Sequence, residues 1–420
     1  MQQHVFQRSF GGSDVKYAFQ SLFMSQLLSD AGDQIVLIAI SWTLAQGYGG
    51  GFLGLVLAIW AITRGFLLMM GGVVADRYNR RTISLLTGLV LTASILGVAG
   101  LGASTTGPFR WIWLTLAVLL GVLDGIRIPI AGSLVPFVVE RTNLIHANRW
   151  MQLREWGTAS IGPALGGGLM AWSGGRGALL IAGLVYMVSA IAILGIPSMP
   201  SVQRVAQSSW LDLREGLLYV VHNDRLHVLL PTFALANLFV LGVFSVGIVL
   251  FAHTILRAGP LGLGLLAGSF SVGMAIGVIL VPYVPQVFHH SLLHLFGLFV
   301  LSDVMLALVG LTHSLISAVI VYGMSGLLAG PPATFYRTWL QVVPPPEFLG
   351  RVSSIARAIS FGLEPASAAI VGAASRVITT NVLILIAGGC ATLIDVSGMF
   401  RSRSGRSAKT LHAPTDHRPE

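Results

Sequence analysis

Charge is scarce in this chain. Only 10% of its 420 residues are Asp, Glu, Lys or Arg, while 54% are apolar; a soluble globular domain carries about a quarter charged residues. Water is therefore not its main solvent. Lysine is nearly absent, with Lys16 and Lys409 the only two. A single cysteine, Cys390, excludes an internal disulfide, and a lone thiol in an apolar helix reads as packing. Residues 1–16 are polar and the apolar stretch behind them is full length, unlike a cleavable signal peptide, so the first span is expected to stay. No glycine-rich phosphate loop ending in Gly-Lys-Ser/Thr is present, which argues against ATP as the direct energy source. His253, His289, His290, His294 and His313 show no acid-supported metal-ligand spacing, so neither metal nor cofactor is expected. The formal charge of +9 is not gathered in an aromatic-interleaved basic module, so no nucleic-acid partner is expected either.

What the chain does have is long hydrophobic runs. A bilayer crossing takes roughly 20 mostly apolar residues, and such stretches recur about twelve times between short turns rich in Gly, Pro, Arg or Asn. Arginines at positions 8, 77, 80, 81, 141, 149, 204, 214, 225, 351, 401, 403 and 406 fall in alternate loops and at both ends. The other loops hold only Arg110, Arg176, Arg257 and Arg376, and by the positive-inside rule both termini lie in the cytoplasm. The expected organisation is a cytoplasmic segment at 1–16, a six-helix bundle at 17–196, a cytoplasmic linker with an amphipathic helix (Trp210 to His222) at 197–225, a second six-helix bundle at 226–400, and a disordered cytoplasmic tail at 401–420. Shifting the chain by about 202 positions lays Gly121 on Gly323, Pro129 on Pro331, Arg149 on Arg351 and Pro163 on Pro365. Gly and Pro dictate backbone shape, so the two bundles read as parallel repeats, a transporter feature that places the substrate between them near the midplane.

Two motifs carry a mechanism. Between the second and third spans the chain reads Gly72-Val-Val-Ala-Asp76-Arg77-Tyr-Asn79-Arg80-Arg81. A tight turn there calls for a residue tolerant of positive φ, and Asn79 is the expected choice; the arginines hold the loop at an anionic leaflet. The fifth span carries Gly157-Thr-Ala-Ser-Ile-Gly162-Pro163-Ala-Leu-Gly166-Gly167-Gly168. Pro163 removes a backbone donor, and the glycines leave a flat face for close helix approach, so this span is a hinge and packing candidate. The first motif closely resembles the loop signature of the major facilitator superfamily, and the second resembles the motif of that family's exporters with its first glycine displaced by one position. Ser29-Asp30-Ala31-Gly32-Asp33, Asn143 to Asn148 and Leu213 to Val220 look like the branch of bacterial efflux proteins that includes macrolide efflux and enterobactin exporters. The resemblance implies a cytoplasmic latch formed by Gly72, Asp76, Arg77, Arg80 and Arg81. At the equivalent place the second half has Val281-Pro-Tyr-Val-Pro-Gln-Val-Phe-His289-His290 instead, which puts a symmetrical latch in doubt.

Charges at membrane depth are the site candidates, because each costs roughly 2.5–3.5 kcal/mol to place mid-helix unless paired or wet. Asp30 and Asp33 fall in the first span, Arg64 in the second, Asp124 and Arg127 in the fourth, Glu155 in the fifth and Glu364 in the eleventh. Asp124 and Arg127, three apart, share a helix face. Asp33 or Asp124 is the expected proton carrier, switched by movement of Arg64 or Arg127; a static Asp33–Arg64 pair is the competing reading. Trp60 and Trp156 are weaker candidates for an aromatic pocket. The expected fold is all-α, a major facilitator fold of twelve transmembrane helices in two pseudo-symmetric six-helix bundles. The resemblance implies proton-coupled export of an amphipathic small molecule such as a drug, siderophore or lipid-like metabolite, by a monomer in a bacterial inner membrane. Uptake by the same fold is the alternative, and a non-transporting receptor or scramblase ranks below it. A membrane-embedded enzyme would need a nucleophile beside a base at membrane depth, and none is visible.

Overall fold

The computed structural model describes residues 12–77, 79–101, 110–139, 144–196, 210–284 and 291–410. Among these residues the chain is helical without strands, the arrangement that satisfies every backbone polar group within its own segment when no water is at hand. Helix α1 (Gly12–Arg77) is broken at Gly49 (φ 76°, ψ 176°) into limbs α1a (residues 12–48) and α1b (50–77). Helix α2 spans Arg80–Gly100 and α3 Arg110–Val138. Helix α4 (Leu144–Ala192) breaks at Gly174 (φ 69°, ψ 178°) into α4a (144–173) and α4b (175–192). These dihedrals are open to glycine and strained for any other residue, so each double-length helix becomes two spans at its glycine. The amphipathic helix α5 (Trp210–His222) lies where the sequence pattern puts it. The second half comprises α6 (Leu226–Ile255, with π-helical turns at Val243–Gly247 and Phe251–Ile255), α7 (Gly259–Ile279), α8 (Leu292–Val309), α9 (Leu315–Val342), α10 (Pro346–Gly362), α11 (Glu364–Ala374) and α12 (Thr380–Thr410).

Nine of the described helices are long and apolar enough to cross a membrane. Two of those are the double-length α1 and α4, and α10 with α11 forms the remaining crossing, which gives twelve spans. The eleventh span is split at Leu363, where Pro365 enters the first turn of α11 without a hydrogen to donate. Helix α12 continues to Thr410, beyond the Phe400 boundary expected from the sequence. The segments 1–11, 197–209 and 411–420 and the loop holding His289 and His290 lie outside the described residues.

The halves repeat one another in packing. Gly121 of α3 sits against the backbone of α1b at Trp60, and Gly323 of α9 sits against α7 at Ser269, so the fourth span packs on the second as the tenth packs on the eighth. At the end carrying the arginine-rich turns each half has its own core, one around Leu22, Ile130, Leu134 and Ile193 and the other around Leu229, Leu295, Phe335 and Val352. Further along the helices a single core runs through both halves. The molecule is therefore joined at one end and divided at the other. Helix α5 docks on the second half: Gly216 abuts Arg351, Glu215 pairs with Arg351 at 2.8 Å, and Tyr219 stacks on Phe348.

Two seams make the joined end. Gly167 of α4a faces Pro260 and Gly264 of α7, while Gly50 and Gly54 of α1b face Gly372 of α11. A Cβ built at Gly264 would meet the Pro163 carbonyl and Ala164, so only glycine allows this approach. Gly162 and Gly166 pack instead on α1a at Gln34 and Ile35, and nothing approaches Gly157 within 4 Å. Backbone dihedrals stay helical through Pro163, and the break in α4 falls at Gly174. Asn79 also departs from expectation. Its φ is −65°, and its side chain caps α2 by accepting from the amides of Arg81 and Thr82. Asn79 itself is not left-handed and acts as the N-cap of the following helix.

Candidate functional site

Where the two cores separate, a cavity of about 430 Å³ opens between the halves. Helices α1a, α1b and α3 give it Asp33, Trp60, Arg64, Asp124 and Arg127, and the second half gives Phe244, Tyr322 and Glu364. One wall is charged. The other is mostly aromatic and aliphatic, with Phe244 and Tyr322 at the cavity surface and Phe270 packed against both rings. Among the cavity-lining residues three carboxylates face two guanidiniums.

Arg127 is the hub. It donates to Asp33 at 2.6 Å, to Asp124 at 3.2 Å and to the Ser29 hydroxyl. The second contact is the expected i,i+3 pair on α3. Asp33 also accepts from the Tyr186 hydroxyl at 2.7 Å, and the buried Asp124 accepts from the Trp60 indole at 2.9 Å. Gly32 makes the first of these contacts accessible, since a Cβ there would collide with the Tyr186 ring. In hydrocarbon such hydrogen-bonded pairing lowers the cost of a charge, and one guanidinium here serves two carboxylates.

Arg64 does not pair with Asp33. It reaches Glu364 at 2.6 Å across the cleft, joining the second span to the eleventh. Glu364 projects there because α11 starts at it, just past the break at Leu363. Asp30 faces away from the cavity and pairs with Arg154 of α4a; the exposed Glu155 does not line the cavity either. Of the aromatic candidates Trp60 lines the cavity and Trp156 is exposed. Sequence reasoning missed Arg154 and Tyr186, whose partners lie 124 and 153 residues away. Of the latch residues, the surroundings of Gly72 and the side chains of Asp76 and Arg77 lie outside what is described; Arg80 is buried, and Arg81 donates to the Leu194 carbonyl at 2.8 Å.

Because the Arg64–Glu364 pair bridges the halves across the cavity, Glu364→Gln is expected to loosen the hold of one half on the other. Both side chains are about a quarter exposed, so solvent screens the pair and a cost of about 1–2 kcal/mol is appropriate, below the 2–5 kcal/mol of fully buried pairs. That moves the conformational equilibrium roughly tenfold. Distances between spin labels on α2 and α8 check it, and unchanged distance populations would show that the pair does not hold the state.

A chain of twelve spans in two similar halves around a polar cleft is a multi-pass membrane transporter. The sequence model of the Major Facilitator Superfamily matches residues 22–369, and the chain belongs to that family. The enterobactin exporter EntS of Shigella boydii serotype 4 is 23% identical over 378 residues, covering 86% of each chain. In fold, the crystal structure of the nucleoside transporter NupG superimposes with a TM-score of 0.69 over 91% of this chain and 98% of that one, at 13% identity. A bacterial homologue of the iron transporter ferroportin in its inward-facing state gives 0.67 over 94% and 100%, at 19% identity.

Proposed function

We propose that the chain is a proton-coupled exporter of an amphipathic small molecule, working by alternating access as a monomer in a bacterial inner membrane. The observation that carries the reading is Arg127 held between Asp33 and Asp124 at the cavity wall. Two carboxylates on one guanidinium leave a negative charge without a local counter-ion, and either a proton or a positively charged substrate group neutralises it. Competition between those two occupants is antiport. The aromatic wall around Phe244 and Tyr322 supports an apolar body for the substrate, and the likeness to an enterobactin exporter supports the outward direction.

The arginine-rich end, where the cores are separate, is the cytoplasmic end in this reading, with both termini there, and the described state is inward-facing. The loop of Gly72, Asp76, Arg77, Arg80 and Arg81 acts as a latch when that end closes. The glycine seam of α4a and α7 is the pivot at the opposite end. The cavity performs no catalysis.

The test starts with a thermal-shift screen of lipids, antibiotics and metal chelates on the purified protein, followed by flux of the hits in oriented vesicles. Export predicts accumulation in inside-out vesicles with an acidic lumen. Accumulation confined to right-side-out vesicles would establish uptake, and flux indifferent to the pH gradient would end the proton-coupled reading.

A further inference from the structure

Behind Arg127, on the side away from the central cavity, lies a second and much smaller cavity of about 30 Å³. Arg127 lines both cavities. The lining of the small one includes Ser25, Gln26, Ser29, Ser84, Tyr186 and Ser189 beside leucine, isoleucine and alanine. Its volume exceeds the roughly 10–15 Å³ needed to hold one water, and polar partners that can keep such a water in place are present. One buried donor at its edge, Arg127 Nε, has no hydrogen-bond partner among the described residues.

The polar lining is continuous with a pattern in α1a. Ser21, Ser25, Ser29 and Asp33 recur every fourth residue, which keeps them along one face of the helix over a rise of about 18 Å. At the inner end Ser29 accepts from Arg127 and Asp33 accepts from Tyr186. In the middle the Ser25 and Ser189 hydroxyls lie 3.3 Å apart, and Ser189 donates to the Ser25 carbonyl at 2.7 Å. At the outer end Ser21 meets Gly195, in the turn where the chain leaves α4b. Packing alone does not explain the buried Ser25 and Ser29, since alanine fills such positions without a hydroxyl to satisfy.

We infer that the small cavity is a water site, and that with the serine ladder of α1a it forms a back passage through which Asp33 exchanges its proton with the arginine-rich end while the central cavity is occupied. The inference rests on Asp33 being the proton carrier. The Asp33 carboxyl gives its proton to the Tyr186 hydroxyl 2.7 Å away, which lines the small cavity and passes its own proton to the water there, and each hydroxyl outward accepts one proton and passes one on. The carboxylate left behind keeps its bonds to Arg127 and Tyr186. The charged groups facing Asp33 are Arg127 and Asp124 from α3 and the Tyr186 hydroxyl from α4b; on its own helix Asp30 is occupied by Arg154. Arg127 stays protonated throughout, and its fixed charge between the two cavities opposes a free run of protons from one to the other.

The test needs no substrate. In a Cys390→Ala background, Ala267→Cys on the far wall of the central cavity is labelled with a bulky maleimide to block the front route. The carboxyl stretch of Asp33, assigned as the infrared band missing from Asp33→Asn, is then followed through a pH jump in nanodiscs. With the front blocked, the band is expected to respond in the chain carrying Ser25→Thr, which keeps the hydroxyl. It is expected to lose its response with Ser25→Val, which has the same shape without one. Both Ser25 variants should respond alike when unlabelled, which reports that they fold. A band silenced by the label with Ser25 intact, or equal responses of Thr and Val under the label, would overturn the passage while leaving Asp33 as a titrating group. Absence of any Asp33 band would overturn the coupling reading and the passage with it.

Discussion

Asp33→Asn is expected to reduce pH-gradient-driven flux in reconstituted vesicles to the level of empty liposomes while exchange of substrate across the membrane without a gradient continues. The amide oxygen still accepts from Arg127, whose donor lies 2.6 Å from the native carboxylate, and the amide NH2 donates to the Tyr186 oxygen, 2.7 Å from it, so both contacts are kept with the second reversed in direction. The amide carries no titrating proton. Driven flux and exchange therefore separate: a protein with a broken site loses both, and a protein without its proton carrier loses only the first. Driven flux that survives in Asp33→Asn would remove Asp33 from the mechanism and move the assignment to Asp124, the other carboxylate on the same guanidinium.

Arg127→Leu is expected to be the most destabilising single change in the cavity, by about 3–5 kcal/mol, the usual cost of removing one member of a buried ion pair. Arg127 has a side-chain exposure of only 15%, against 30% for Asp33 and 8% for Asp124, so little water reaches the carboxylates it would abandon. The variant protein should unfold at lower temperature in detergent. Adding Asp124→Asn should restore part of the loss by removing the more buried orphaned charge. Arg127→Lys should fall between, because an ammonium keeps the charge but lacks the fork that spans two carboxylates. Equal unfolding temperatures for Arg127→Leu and the native chain would mean the cluster contributes no net stability.

The Asp124–Arg127 pair was legible in the sequence because both partners sit on one helix and the spacing decides whether they meet. Arg64 shows the limit of that logic. Its depth was readable from span arithmetic, yet its partner was not: Asp33 and Glu364 sit at similar depth, and the choice between them depends on which way the second span faces. The split at Leu363 turns Glu364 into the cleft. Asn79 fails for a related reason, since a residue able to adopt positive φ is also a good N-cap, and the following helix makes the choice.

Sequence by itself determined the solvent, the number of spans and their pairing into two similar halves. Hydrophobic length, arginine placement and recurring Gly and Pro are local properties, and a bilayer reads them one segment at a time. Tertiary structure alone decided which charges share a partner, which glycines close the seam between the halves, and that a second polar cavity lies behind Arg127. Those outcomes depend on the rotation of each helix about its own axis, which is set by side chains a hundred or more residues apart packing against one another.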